Sequence, residues 1–173
     1  MRLLSTAVTA LAVCLLAPPG ARADECRDVD TTIVTTFFVA GCRSPVGICT
    51  KGEVPPGPLG GPTRFSALSV TPGALPDMID YTGKLVIKTR SGNVRIRDRG
   101  FVNGATGHYF EFQQVVGGTG KYKGATGMLT SQGRMTPTGF SGSLSGVICR
   151  AHRKDRDHEE DDDDSVDRGD DDE

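Results

Sequence analysis

The sequence has no tryptophan, only three histidines, and aromatic side chains at just 6% of its length. Two of the histidines, His152 and His158, lie in an acidic stretch near the end, which leaves His108 alone in the body of the chain. One imidazole gives no basis for a Ser-His-Asp arrangement, and the cysteines show neither Cys-x-x-Cys nor Cys/His zinc spacing, so no metal is expected. Glycine shows no three-residue period and no heptad run occurs, which excludes collagen and coiled coil. No apolar run is long enough to cross a bilayer comfortably as a helix: the longest, Leu3 to Ala17, stops at Pro18-Pro19-Gly20. There is also no basic platform interleaved with aromatics, so nucleic acid is not an expected partner. No motif calls for a cofactor.

What is present divides the 173 residues into three regions. Residues 1–23 have the layout of a secretory signal, with Arg2, an apolar stretch, and Ala21-Arg22-Ala23 as a small-x-small cleavage site. Export after Ala23 is the expectation, giving a secreted protein that does not span a membrane. Residues 150–173 carry 5 Lys/Arg against 13 Asp/Glu without hydrophobic periodicity, the composition of a disordered acidic tail. Residues 24–149 carry 13 Lys/Arg against 9 Asp/Glu and form the folded domain. The net charge of −2 is the cancellation of these parts. Cleavage would discard Cys14 and leave four cysteines, an even number that favours two disulfides in an oxidising compartment. Four cysteines allow three pairings. The favoured one joins Cys42 to Cys49 across a short loop and Cys26 to Cys149 at the domain ends. In the chain-entropy treatment the long link is worth about 4–5 kcal/mol.

Within the domain, short β-rich runs alternate with Gly, Pro and Asn punctuation. They cover Thr31–Ala40, Val46–Gly52, Arg64–Val70, Lys84–Thr89, Val94–Phe101, His108–Val116, Ala125–Arg134 and Phe140–Cys149. Residues 53–62, rich in Pro and Gly, read as a stiff loop. Arg90-Ser91-Gly92-Asn93 is a hairpin signal between two alternating runs. Leu85 and Ile87 share a face before it; Val94, Ile96 and Asp98 share one after it, with Arg95, Arg97 and Arg99 opposite. Such alternation means a half-buried antiparallel sheet. Eight strands in meander order lose their edges by closing, so the expected fold is an eight-stranded antiparallel β-barrel. A barrel of that size holds side chains or one small ligand.

The densest local signal is Val115-Val116-Gly117-Gly118-Thr119-Gly120-Lys121-Tyr122-Lys123-Gly124-Ala125-Thr126-Gly127. It is not a phosphate loop, because Tyr122 follows the lysine where Ser or Thr is needed and Val115 stands in place of the first glycine. It is a tight turn with Tyr122 folding back as a plug. This stretch resembles the turn between late strands of the allene oxide cyclase and dirigent barrels, where Gly-Gly-Thr/Ser-Gly-x-Phe/Tyr leads into Ala-x-Gly. The match covers about thirteen residues, and exported bacterial proteins of this type, of unknown function, are the most similar. The resemblance implies a calycin-like eight-stranded barrel with an apolar cavity, often trimeric, whose characterised members steer cyclisation or radical coupling of a bound small molecule.

A small apolar ligand in the barrel is therefore the expected partner, with a cofactor-free cyclase or isomerase and a non-catalytic interaction module as alternatives. Steering requires a cavity that selects a conformer and one carboxylate to stabilise a cationic centre. Asp98, on the face of Val94 and Ile96, is the candidate catalytic acid. On the next strand Tyr109 and Glu111 share one face and Phe110 and Phe112 the other. All four are ligand-binding candidates, and alternation alone leaves open which pair points inward. A tail of this charge would also fold back over the Arg95, Arg97 and Arg99 stripe in a salt-sensitive contact.

Overall fold

The computed structural model describes residues 25–150. Eight strands follow in order: β1 Glu25–Phe37, β2 Cys49–Val54, β3 Gly61–Pro72, β4 Met78–Thr89, β5 Gly92–Asn103, β6 His108–Gly118, β7 Thr126–Thr136 and β8 Gly139–Arg150. Each pairs antiparallel with the next, and β1 pairs with β8 from Glu25↔Arg150 to Thr36↔Gly139, which closes the barrel. The signal and acidic-tail regions lie outside the described residues, except that Arg150, expected at the start of the tail, is the last residue of β8.

Most strand ends differ from the expectation by one to three residues, and the larger differences have physical reasons. Strand β1 begins six residues earlier, because the charges of Asp28 and Asp30 sit on its solvated face while Val29 is buried. Strand β4 also begins six residues earlier. There Gly83 interrupts the apolar alternation, and the Phe65 ring from β3 fills the space its Cβ would need. The Pro/Gly stretch is shorter than expected: Glu53 and Val54 pair with Pro62 and Gly61, so only residues 55–60 form the loop. Pro62 is tolerated as the second residue of β3, where a missing donor disturbs the ladder least.

The barrel has one plugged end. The β6–β7 connection carries a 3-10 turn, Gly120–Tyr122, and its Tyr122 is 2% exposed with its hydroxyl donating to the Pro58 carbonyl at 2.6 Å. Gly120 holds φ +57° there, a conformation that a side chain would strain. Leu59, Val94, Ile96, Leu129, Leu144 and Ile148 fill the space behind this plug, each at most 2% exposed. The expected disulfides are both present. Cys26–Cys149 joins β1 to β8 at the plugged end, and Cys42–Cys49 pins the β1–β2 loop at the other. Ser44 braces that loop by donating to the Ala67 carbonyl at 2.6 Å and accepting from the Val46 and Ile48 amides. No described helix is long and apolar enough to cross a membrane.

Candidate functional site

The end opposite the plug is open and apolar. Phe37, Ile48, Phe65, Val102, Met135 and Phe140 are among the residues that line a cavity of about 140 Å³ there. Phe140 stands edge-on to Phe37 at 5.4 Å and to Tyr109 at 5.2 Å, so the wall is a connected aromatic set. Deeper in the barrel lies a second space of about 30 Å³, sharing Phe65, Tyr81 and Phe140 with the first. Its other walls mix the apolar Ile33 and Leu85 with polar side chains, among them Asp98, Glu111, Gln113 and Ser131.

Alternation along β5 puts Val94, Ile96, Asp98, Gly100 and Val102 on the inner face, and Asp98 is 4% exposed. Residues directly opposite in an antiparallel pair share a face. Because Asp98 pairs with Gln113 and Gly100 with Glu111, β6 must turn Tyr109, Glu111 and Gln113 inward. Phe110 and Phe112 then point outward; Phe112 is 54% exposed and packs against Phe110 at 4.9 Å. The four ligand-binding candidates on β6 therefore divide, Tyr109 and Glu111 facing the interior and the two phenylalanines the outside. Among the residues of the Gly-rich turn, Gly117, Gly118, Thr119, Gly120, Tyr122, Gly124 and Gly127 belong to the plugged end, away from the open cavity. Gly118 is required there, since a Cβ would meet the Asn93 carbonyl oxygen at 2.0 Å and Tyr122 Cβ at 2.8 Å.

Glu111 is well served by donors. The Tyr81 hydroxyl donates to its Oε1 at 2.7 Å and Gln113 Nε2 to its Oε2 at 2.8 Å. Gly100 makes this arrangement possible, because a Cβ at that position would lie 2.8 Å from Glu111 Cγ and 3.0 Å from the Tyr81 ring. Gly142 does the same for Tyr109, whose hydroxyl shares a hydrogen bond with Ser131 at 3.0 Å. Asp98 differs: neither of its buried carboxyl oxygens has a partner, and neither does Gln113 Oε1. Burial first, and then the charge of Glu111, holds the Asp98 carboxyl well above the usual carboxylate range. Burial also raises Glu111, opposed by its bonds from Tyr81 and Gln113. The Tyr81 phenol is raised by burial and by Glu111. That of Tyr109 is pushed up to about 12, chiefly by burial.

The floor is thus a buried acid, Asp98, beside a half-buried one, Glu111, with more acceptors than donors. Such a floor can hold or relay a proton, or receive a donor from a bound molecule. Among the described residues, no group of three or more His, Cys, Asp or Glu side chains comes together as metal ligands would. Sequence reasoning missed Tyr81, Gln113 and Ser131. Their signal was indirect, in glycines such as Gly83 and Gly100 inside otherwise alternating strands, which mark places where a large neighbour crosses.

Outside, Arg95, Arg97 and Arg99 of β5 are exposed, and the register sets Lys84 of β4 opposite Arg97. Arg64 of β3 and Lys51 of β2 continue the basic face, both close to the Phe38 ring at 4.9 and 6.0 Å. The one ion pair among the described residues, Arg27 with Glu25, lies elsewhere on β1. No protein-family model matches the chain, and no curated protein matches it.

Proposed function

We propose that the protein is an exported barrel that binds a small apolar molecule in its open end. The observation that carries this reading is the aromatic-lined cavity of about 140 Å³ set above a buried polar floor. A concave apolar space with a few convergent polar groups is the usual form of a small-molecule site. Two disulfides support an oxidising, extracytoplasmic setting. The resemblance of residues 115–127 to allene oxide cyclase-like and dirigent-like barrels supports the same class. In an enzymatic version of this reading, Asp98 would be the acid that acts on a ligand held in one conformer by the aromatic wall.

A second reading, an interaction module, is favoured by the basic outer face on β2–β5. There the acidic stretch 151–173 would be its counterpart. Removing that stretch should change the salt dependence with which the barrel binds an anionic surface, and an unchanged dependence argues against the contact.

Native mass spectrometry of the protein purified from its own host tests the first reading. A co-purifying mass of a few hundred daltons or less, lost on denaturation, is the expected result. A bare chain that also takes up no aromatic probe would overturn it.

A further inference from the structure

We propose that the inner chamber is an ammonium subsite, so that the molecule this barrel takes is a small primary amine on an apolar body about one ring in size. The proposal rests on the reading that the open end binds small apolar molecules, and adds the chemistry of the head group.

Three buried acceptors at the floor lack any donor: Asp98 Oδ1, Asp98 Oδ2 and Gln113 Oε1. They belong to residues directly opposite each other on β5 and β6, so they converge on one space. A protonated primary amine offers three N–H donors and no acceptor. An alcohol offers one donor and brings an oxygen that needs donors of its own. A carboxylate or phosphate ligand would add acceptors and negative charge to a site that already has too many of both.

Charge points the same way. Two carboxyl groups, Asp98 and Glu111, face the chamber, and no Lys, Arg or His is among the residues that line either space. An unpaired buried carboxylate is costly, and a cation of matching size removes that cost. The rings of Phe65, Tyr81 and Phe140, shared by the two chambers, flank the route of a cationic head group and can stabilise it further.

Size sets the rest of the molecule. The inner space, about 30 Å³, suits one ammonium group or one to two waters and excludes a ring. The outer one, about 140 Å³, is close to the roughly 150 Å³ of an apolar cavity that takes benzene.

The test compares benzylamine, benzyl alcohol, toluene and benzoate at pH 7 by calorimetry on the full oxidised chain. Benzylamine should bind at least ten-fold more tightly than benzyl alcohol, and benzoate should not bind. Repeating the benzylamine titration in buffers of different ionisation heat should show release of a proton from the acid pair. Asp98→Asn should erase the preference for the amine while keeping the alcohol. If that variant does not fold, the amine-to-alcohol ratio in the unaltered chain decides alone. Equal affinity for amine and alcohol would overturn the ammonium subsite and leave the apolar site standing. Failure of all four probes would overturn the apolar site as well.

Discussion

The two ends of this barrel are built from the same alternating strands yet solve opposite problems. At the plugged end, β5, β7 and β8 supply Ile96, Leu129 and Leu144 to the buried apolar cluster that also holds Tyr122. One turn of side chains further along the same strands, Asp98 and Ser131 face inward, and Gly142 occupies the β8 position beside Tyr109. The plugged end has the closely packed character of a domain core. The open end gives up packing for a space with an acid floor, and retains two buried acceptors on Asp98 that a stability-driven core would not keep. The contrast separates what holds the fold from what the fold carries.

Removing cross-links should sharpen this contrast most. Replacing Cys26 and Cys149 by serine opens a link of sequence separation 123 and should cost about 4–5 kcal/mol. The same change at Cys42 and Cys49, with separation 7, should cost about 2–3 kcal/mol. Denaturant unfolding of both variants checks the order. Of comparable size, Leu144→Ala empties part of the tightly packed end and should lose about 2–5 kcal/mol, with no gain in probe binding at the mouth.

Asp98→Asn should act in the other direction. A carboxyl whose folded-state pKa is raised destabilises the fold as pH climbs above its unfolded value near 4 and toward its folded value. The unaltered protein should therefore lose stability over that range relative to the variant. By pH 7 the variant should lead, because its amide has no charged form for burial and Glu111 to disfavour. Unfolding midpoints at a series of pH values check the sign; a variant less stable than its parent at pH 7 would contradict the account. The smallest effect belongs to the outside. Phe112→Ser should change stability by no more than about 0.5 kcal/mol and leave probe affinity unaltered, since Phe112 faces away from the cavity.

Much of the architecture was legible in the sequence because period-2 alternation survives wherever a strand has one apolar face. Val94, Ile96 and Asp98 showed their common face directly, and the Arg90-Ser91 turn joins β4 to β5 where the hairpin signal stood. Strand β6 was different. Both of its faces mix aromatic and polar residues, so its orientation was decided by partners on β5, which single-strand patterning cannot report. Tyr81 was hidden in the early part of β4, beside the charge of Asp80 and near Gly83. The floor of the site was half visible for the same reason: one acid announced its face, whereas Glu111, Gln113 and their donors became interior only through register.

A single titration of the full oxidised chain with benzyl alcohol, followed by side-chain NMR, tests the open apolar site most directly. The expected result is a saturable shift at Phe65, Ala67, Ile79, Val102, Met135 and Phe140, with Leu129 and Leu144 unmoved. Shifts that fail to saturate, or that appear around Leu129 and Leu144 instead, would contradict it.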